Sequence, residues 1–109
     1  MRTAGREPIV LAVSGASAQP LAERALQLLL QAEESVELVV SRGAIGVWQA
    51  ELGIRVPNEA DRQEQFWRER TGCTTGTLNC HRWNDQAAAI ASGSYRTRGM
   101  VILPCSMGA

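Results

Sequence analysis

Three short runs of small residues stand out as places where a backbone could close around an anionic ligand. They are Ser14-Gly15-Ala16-Ser17, Ser41-Arg42-Gly43-Ala44 and Pro104-Cys105-Ser106-Met107-Gly108. Glycine, alanine and serine let main-chain N–H groups approach a phosphate, and a helix beginning at such a turn adds its unpaired N–H groups. Turns between strands and helices favour Gly and Ser for geometric reasons alone. One run is therefore uninformative, whereas three that converge point to a ligand. Glu51, ten residues after Ser41, could carry a proton into such a site, although most lone glutamates on helices are merely solvated. His81 is the only histidine; next to Cys80 and Arg82, in a loop reading, it is structural rather than catalytic. Cys105 at a helix start could ionise more easily than usual, but no partner base marks it as a nucleophile. Arg96 and Arg98 could meet an anion. One histidine and scattered serines define no Ser–His–Asp triad.

The elements that must position these residues can be read from hydrophobic spacing. Ile9 to Val13 is a continuous apolar run of strand length, as expected of a strand buried on both faces. From Ala18 to about Ala32 the period changes. Leu21, Ala25, Leu28 and Leu29 recur at helical steps, which predicts an amphipathic helix with Glu23, Arg24 and Gln27 outward. Val36 to Val40 is a second strand, and Gly43 to Leu52 a second helix. After Pro57, Asn58 is a candidate N-cap for a polar helix from Glu59 to about Arg70. Leu78 to His81 is a short strand and Gly99 to Leu103 the clearest later one. Trp48, Trp67 and Trp83 read as packing residues. Strand and helix alternate, which is the signature of a parallel α/β sheet. All three small-residue runs follow strands, and ligands of open α/β sheets bind at the carboxyl ends of the strands.

Composition bounds the rest. The chain has 109 residues, enough for one domain, with 45% hydrophobic and 5% aromatic residues. Eleven basic residues, all arginine, balance eleven acidic ones. That balance argues against nucleic acid or an anionic membrane as partner, and the absence of lysine excludes Schiff-base chemistry by these residues. No apolar stretch approaches the roughly 20 residues of a membrane span, so the expectation is a soluble, cytoplasmic protein. Three cysteines without paired spacing suggest neither a disulfide frame nor a zinc site. Residues 1–8 read as a flexible N-terminus. The dinucleotide fingerprint GxGxxG is absent, so serine-rich turns suit a mononucleotide such as FMN better than NAD.

Taken together, Val13 to Ser17, Val40 to Ala44 with Glu51, Asn84-Asp85 with Ile90 to Ser94, and Gly99 to Gly108 resemble the UbiX/Pad1 family of flavin prenyltransferases. The resemblance implies a flavodoxin-like, Rossmann-type α/β fold that binds FMN and needs no metal. It further implies transfer of a dimethylallyl group from dimethylallyl phosphate to N5 and C6 of reduced FMN. The prenylated FMN would serve a UbiD-type decarboxylase, as in ubiquinone biosynthesis, and the enzyme would be a homo-oligomer. By motif position, Gly15, Ala16, Ser17, Ser41, Ser106, Met107, Gly108 and Ala109 would bind the flavin. Ser92, Gly93 and Ser94 would flank the prenyl group, and Glu51 and Ser17 would be catalytic.

The chain departs from the family pattern at Ala18, Arg42 and Ala109, where glycine, lysine and threonine are usual. The family domain is also about twice as long. The expectation is therefore an incomplete domain over 1–109, whose last strand lacks its covering helix, or else one whose bare surface other subunits cover, and which performs no prenyl transfer alone. A flavin-dependent peptidyl-cysteine decarboxylase of the same fold and a non-catalytic nucleotide-binding module are the alternatives.

Overall fold

The computed structural model of the chain describes residues 7–15, 19–82 and 99–103. Its elements in chain order are β1 (Ile9–Val13), α1 (Gln19–Gln31), β2 (Ser35–Val40), α2 (Arg42–Leu52), α3 (Ala60–Thr71), β3 (Thr77–Arg82) and β4 (Gly99–Leu103). The strands form one parallel sheet in the order β3-β2-β1-β4, the α/β architecture expected. Apolar strands suit this arrangement because helices and connections cover a parallel sheet on its two faces.

Both connections from β1 to β2 and from β2 to β3 step in one direction, and their helices pack on one face. Leu11, Val13, Val36, Leu38, Val40, Leu78 and Cys80 point there. They meet Ala22, Leu26 and Leu30 of α1, Ala44 and Trp48 of α2, and Trp67 of α3. Trp48 and Trp67 are buried and packed edge to face, with ring centroids 5.4 Å apart. β4 lies on the other side of β1, so the winding direction reverses between β1 and β4. Such a reversal is the topological switch point at which open α/β sheets bind ligands.

Two local expectations are corrected. The face of α1 that meets the sheet is Gln19, Ala22, Leu26 and Leu30, whereas Leu21 and Leu28 are exposed. Glu23 and Gln27 do not face solvent but turn toward α3, where Glu23 pairs with Arg70 and Gln27 bonds the Thr71 carbonyl. The cap of α3 is Glu59 rather than Asn58, because the first helical bond runs from Gln63 N–H to the Glu59 carbonyl. No side chain caps that end. The short strand expected from Leu78 to His81 lies within β3. Among the described residues no helix is long and apolar enough to cross a membrane.

Candidate functional site

The parallel register brings three strand ends to one level. Val13 is paired with Val40 on one side and with Leu103 on the other. The pairing continues one step further. Ser14 donates its N–H to the Leu103 carbonyl, and Ser41 donates its own to the Val13 carbonyl, both at 3.0 Å. The turns that begin at Ser14 and Ser41 therefore leave from the same rim, and β4 delivers the chain to it at Leu103.

At this rim the first two turns touch. A Cβ placed on Gly15 would stand 3.0 Å from the carbonyl carbon of Gly43 and 3.2 Å from its Cα. Nine in ten real Cβ contacts are looser than this, so any residue but glycine at position 15 would push the two turns apart by a few tenths of an ångström. Ser41 caps α2, its Oγ accepting the Ala44 N–H at 3.0 Å. That bond uses an acceptor lone pair and leaves the hydroxyl proton free to be donated to a ligand oxygen. The first N–H groups of α2 open on the same side.

A buried glutamine braces the rim from below. Gln19, 1% exposed, donates from Nε2 to the Ser14 carbonyl at 2.8 Å and accepts from Trp48 Nε1 at 2.9 Å. One amide thus ties the β1 turn, the start of α1 and the middle of α2 together. Its type is unremarkable in sequence, and only the pairing reveals its role.

The whole chain, residues 1–109, matches the family model described as Flavoprotein. This chain belongs to the Flavoprotein family. It is 53% identical over 102 residues to a flavin prenyltransferase UbiX of Synechocystis sp., covering 93% of this chain and 50% of that protein. To the flavin prenyltransferase UbiX of Pseudomonas aeruginosa it is 36% identical, over 95% of this chain and 50% of the other. The flavoprotein chain thus spans about half the length of these curated relatives. Among solved structures it is similar to AnUbiX (PadA1) in complex with FMN and dimethylallyl pyrophosphate. That match has a TM-score of 0.67 and 29% identity, and covers 94% of this chain and 47% of the other. A phenylacrylic acid decarboxylase from Aquifex aeolicus is similar at a TM-score of 0.60 and 28% identity, covering 91% of this chain and 47% of the other.

Of the residues singled out in the flavoprotein sequence, the structure brings Gly15 and Ser41 to the rim. Glu51 is exposed in the last turn of α2. Ten residues of helix, about 15 Å of rise, separate it from Ser41. Ala16, Ser17, Ser92, Gly93, Ser94, Ser106, Met107, Gly108 and Ala109 lie outside the described residues, as do Trp83, Arg96, Arg98 and Cys105.

A polar cluster escaped the sequence reading altogether. Glu37, 8% exposed within β2, accepts from Asn79 Nδ2 at 2.9 Å and is hydrogen bonded to His81 Nε2. The three sit on the sheet face away from the helices. Their separations of 42 and 44 residues leave no local signal. The cluster satisfies a buried carboxylate and gives His81 the structural role expected of it. Cys80 turns to the opposite, helix-covered face. Burial, with Glu64 and Glu37 adding to it against Arg68, pushes its thiol from 9.0 up to about 12. It is a protonated core residue and no nucleophile.

Proposed function

We propose that this flavoprotein seats FMN at the C-terminal rim of its sheet and supplies the N-terminal part of a flavin prenyltransferase site. The reaction joins a dimethylallyl group from dimethylallyl phosphate to reduced FMN. The observation that carries the reading is the contact of Gly15 with the Gly43 backbone at the switch point. That cradle would be filled by any side chain at position 15, and it is flanked by the spare Ser41 proton and the opening N–H groups of α2. These are the groups a flavin mononucleotide phosphate needs. Relatives named flavin prenyltransferases support the choice of reaction. The solved relative holds dimethylallyl pyrophosphate, which shares the prenyl group of the donor proposed here.

In this reading Gly15, Ala16 and Ser17 hold the nucleotide from the β1 turn, Ser41 from the β2 turn, and Ser106 to Ala109 from the turn after β4. Ser92, Gly93 and Ser94 flank the prenyl group. Reduced FMN, when bound, supplies the nucleophilic positions that accept it. The chain's own part is positioning and the exclusion of water, which together supply much of the rate in such transfers. Ser17 and Glu51 move protons. Glu51 does so where another subunit of a homo-oligomer closes over the end of α2. The product passes to a UbiD-type decarboxylase in the cytoplasm, as in ubiquinone biosynthesis.

FMN fluorescence tests the binding step. Saturable quenching by the purified chain that Gly15→Ala removes supports the reading; wild-type chain that leaves FMN unquenched overturns it. A chimera of this chain with the second half of the Synechocystis relative tests the reaction. Given reduced FMN and dimethylallyl phosphate, it should form prenylated FMN by mass, while the 109-residue chain alone forms none. An inactive chimera that binds FMN would remove prenyl transfer and leave a nucleotide-binding module.

A further inference from the structure

Arg42 carries its charge at an unfavourable place. It is the first residue of α2, directly after the Ser41 cap, and the positive end of the helix dipole repels a cation there. No acidic residue in the first turn offsets it. The first turn of α3 also holds an arginine, Arg62, but Asp61 stands next to it. Where the fold uses an arginine, that arginine has partners: Arg68 donates to the Cys73, Thr75 and Gly76 carbonyls, and Arg70 pairs with Glu23. Arg42 is exposed, and among the described residues its guanidinium makes no hydrogen bond or ion pair.

Its neighbours fix its position at the rim. On one side is Ser41, whose Oγ accepts the Ala44 N–H and whose proton is spare. On the other is Gly43, whose backbone Gly15 approaches. The register brings a second arginine to the same level, because Arg82 at the end of β3 is paired with Val40 at the end of β2. The described rim segments, Ser14-Gly15, Ser41 to Ala44 and Leu103, contain no acidic residue. The rim is therefore positively charged in a chain whose eleven basic and eleven acidic residues balance.

Serine hydroxyls and main-chain N–H groups grip phosphate oxygens as dipoles. They leave the ionic charge, about −1.5 to −2 for a phosphate monoester at pH 7, unbalanced. A guanidinium balances it and presents paired N–H donors that match two phosphate oxygens. We infer that Arg42 pairs with the FMN phosphate and is the residue that makes this rim prefer FMN to riboflavin. The inference rests on the FMN reading given above and adds a specificity residue to it. With a phosphate between them, the helix end and the guanidinium attract one anion; without it they repel each other. Arg42 thus weakens the chain alone and strengthens its complex.

Titrations of the purified chain into FMN and into riboflavin, followed by flavin fluorescence, test this. Arg42→Ala should weaken FMN binding roughly tenfold or more while leaving riboflavin binding unchanged. Arg42→Lys, which keeps the charge without the fork, should fall between. The loss of FMN affinity with added KCl should be shallower in Arg42→Ala. Arg55→Ala, at an exposed position beyond the far end of α2, should change none of these. Because the helix dipole no longer meets a cation, the urea midpoint of Arg42→Ala without ligand should equal or exceed that of the wild type. The prenyl donor also carries phosphate, but only contact with the phosphate of FMN lets Arg42 discriminate against riboflavin. The inference is overturned, with the FMN reading intact, if Arg42→Ala binds FMN as the wild type does or loses FMN and riboflavin by the same factor. It is equally overturned if the midpoint drops, which would make Arg42 a residue of the fold. Wild-type chain that leaves FMN unquenched overturns the FMN reading and this inference together.

Discussion

Trp48 donates its indole N–H to Gln19 Oε1 at 2.9 Å, in a pair buried from water and separated by 29 residues of sequence. The other end of the same glutamine holds the Ser14 carbonyl. The turn after β1 is thereby fixed to α2, whose own start carries Ser41. Two loops of the rim share one rigid support, which is how a binding edge keeps its geometry before a ligand arrives.

Replacing Gln19 by leucine keeps volume but leaves the Trp48 N–H and the Ser14 carbonyl without this partner. A buried group so stranded costs about 1–3 kcal/mol, so Gln19→Leu should lower stability by about 2 kcal/mol or more in urea unfolding. Trp48→Phe removes the stranded donor. Combined with Gln19→Leu it should cost less than the two changes added separately. Strict additivity would show that the pair is not coupled.

Two glycines near the rim should respond in opposite directions. Gly15→Ala forces its Cβ to 3.0 Å from the Gly43 backbone, so one turn must move. FMN binding should weaken about tenfold or more, with stability falling by about 1–3 kcal/mol. Gly46 lies within α2 and a Cβ there meets nothing within 4 Å. Gly46→Ala should therefore stabilise the chain by about 0.5–1 kcal/mol and leave FMN binding intact. Urea midpoints and FMN titrations on both variants decide the matter, and equal behaviour of the two would remove the steric account of position 15.

How far the sequence could be read follows from which signals are local. β1 and β2 were legible because a strand buried on both faces is a continuous apolar run, and β4 carries the same kind of run although Met100, Val101 and Ile102 are exposed. The extent of α1 was legible too, but its buried face was not. Leu21, Ala25, Leu28 and Leu29 repeat at the same steps as Gln19, Ala22, Leu26 and Leu30. The stripe that meets the sheet opens with a glutamine whose partner is distant, while Leu21 and Leu28 are exposed. The small residues at Gly15 and Ser41 marked the rim, since turns declare themselves within a few positions. Glu37, in the middle of an apolar strand, gave no sign of His81, which lies 44 residues away.

The raised Cys80 thiol has a consequence for alkaline stability. In the folded chain burial keeps the proton on up to about pH 12, whereas in the unfolded chain it leaves near 9.0. Between those values the unfolded state binds fewer protons, so stability falls as pH rises through the window from 9.0 to about 12 and is fully present below it. Cys80→Val, which has no thiol to ionise, should lose less stability than wild type between about pH 8 and about pH 11. Urea midpoints at the two pH values measure this, and parallel losses in both proteins would place the alkaline sensitivity elsewhere.

One buried polar contact of α3 is missing, and filling the gap should strengthen the fold. Gln63 Oε1 and Trp67 Nε1, one helical turn apart on the buried side of α3, have no hydrogen-bond partner among the described residues. Gln63 is 2% exposed, so water does not readily compensate its acceptor. Methionine has nearly the same length and adapts to irregular space, and it removes the orphaned oxygen. Gln63→Met should therefore raise stability by about 1 kcal/mol, seen as a higher urea midpoint with an unchanged slope. Gln63→Glu should do the reverse, because it would place a charge where an uncharged amide is already unsatisfied. A methionine variant less stable than wild type would mean that the glutamine makes a bond through a water held beside Trp67.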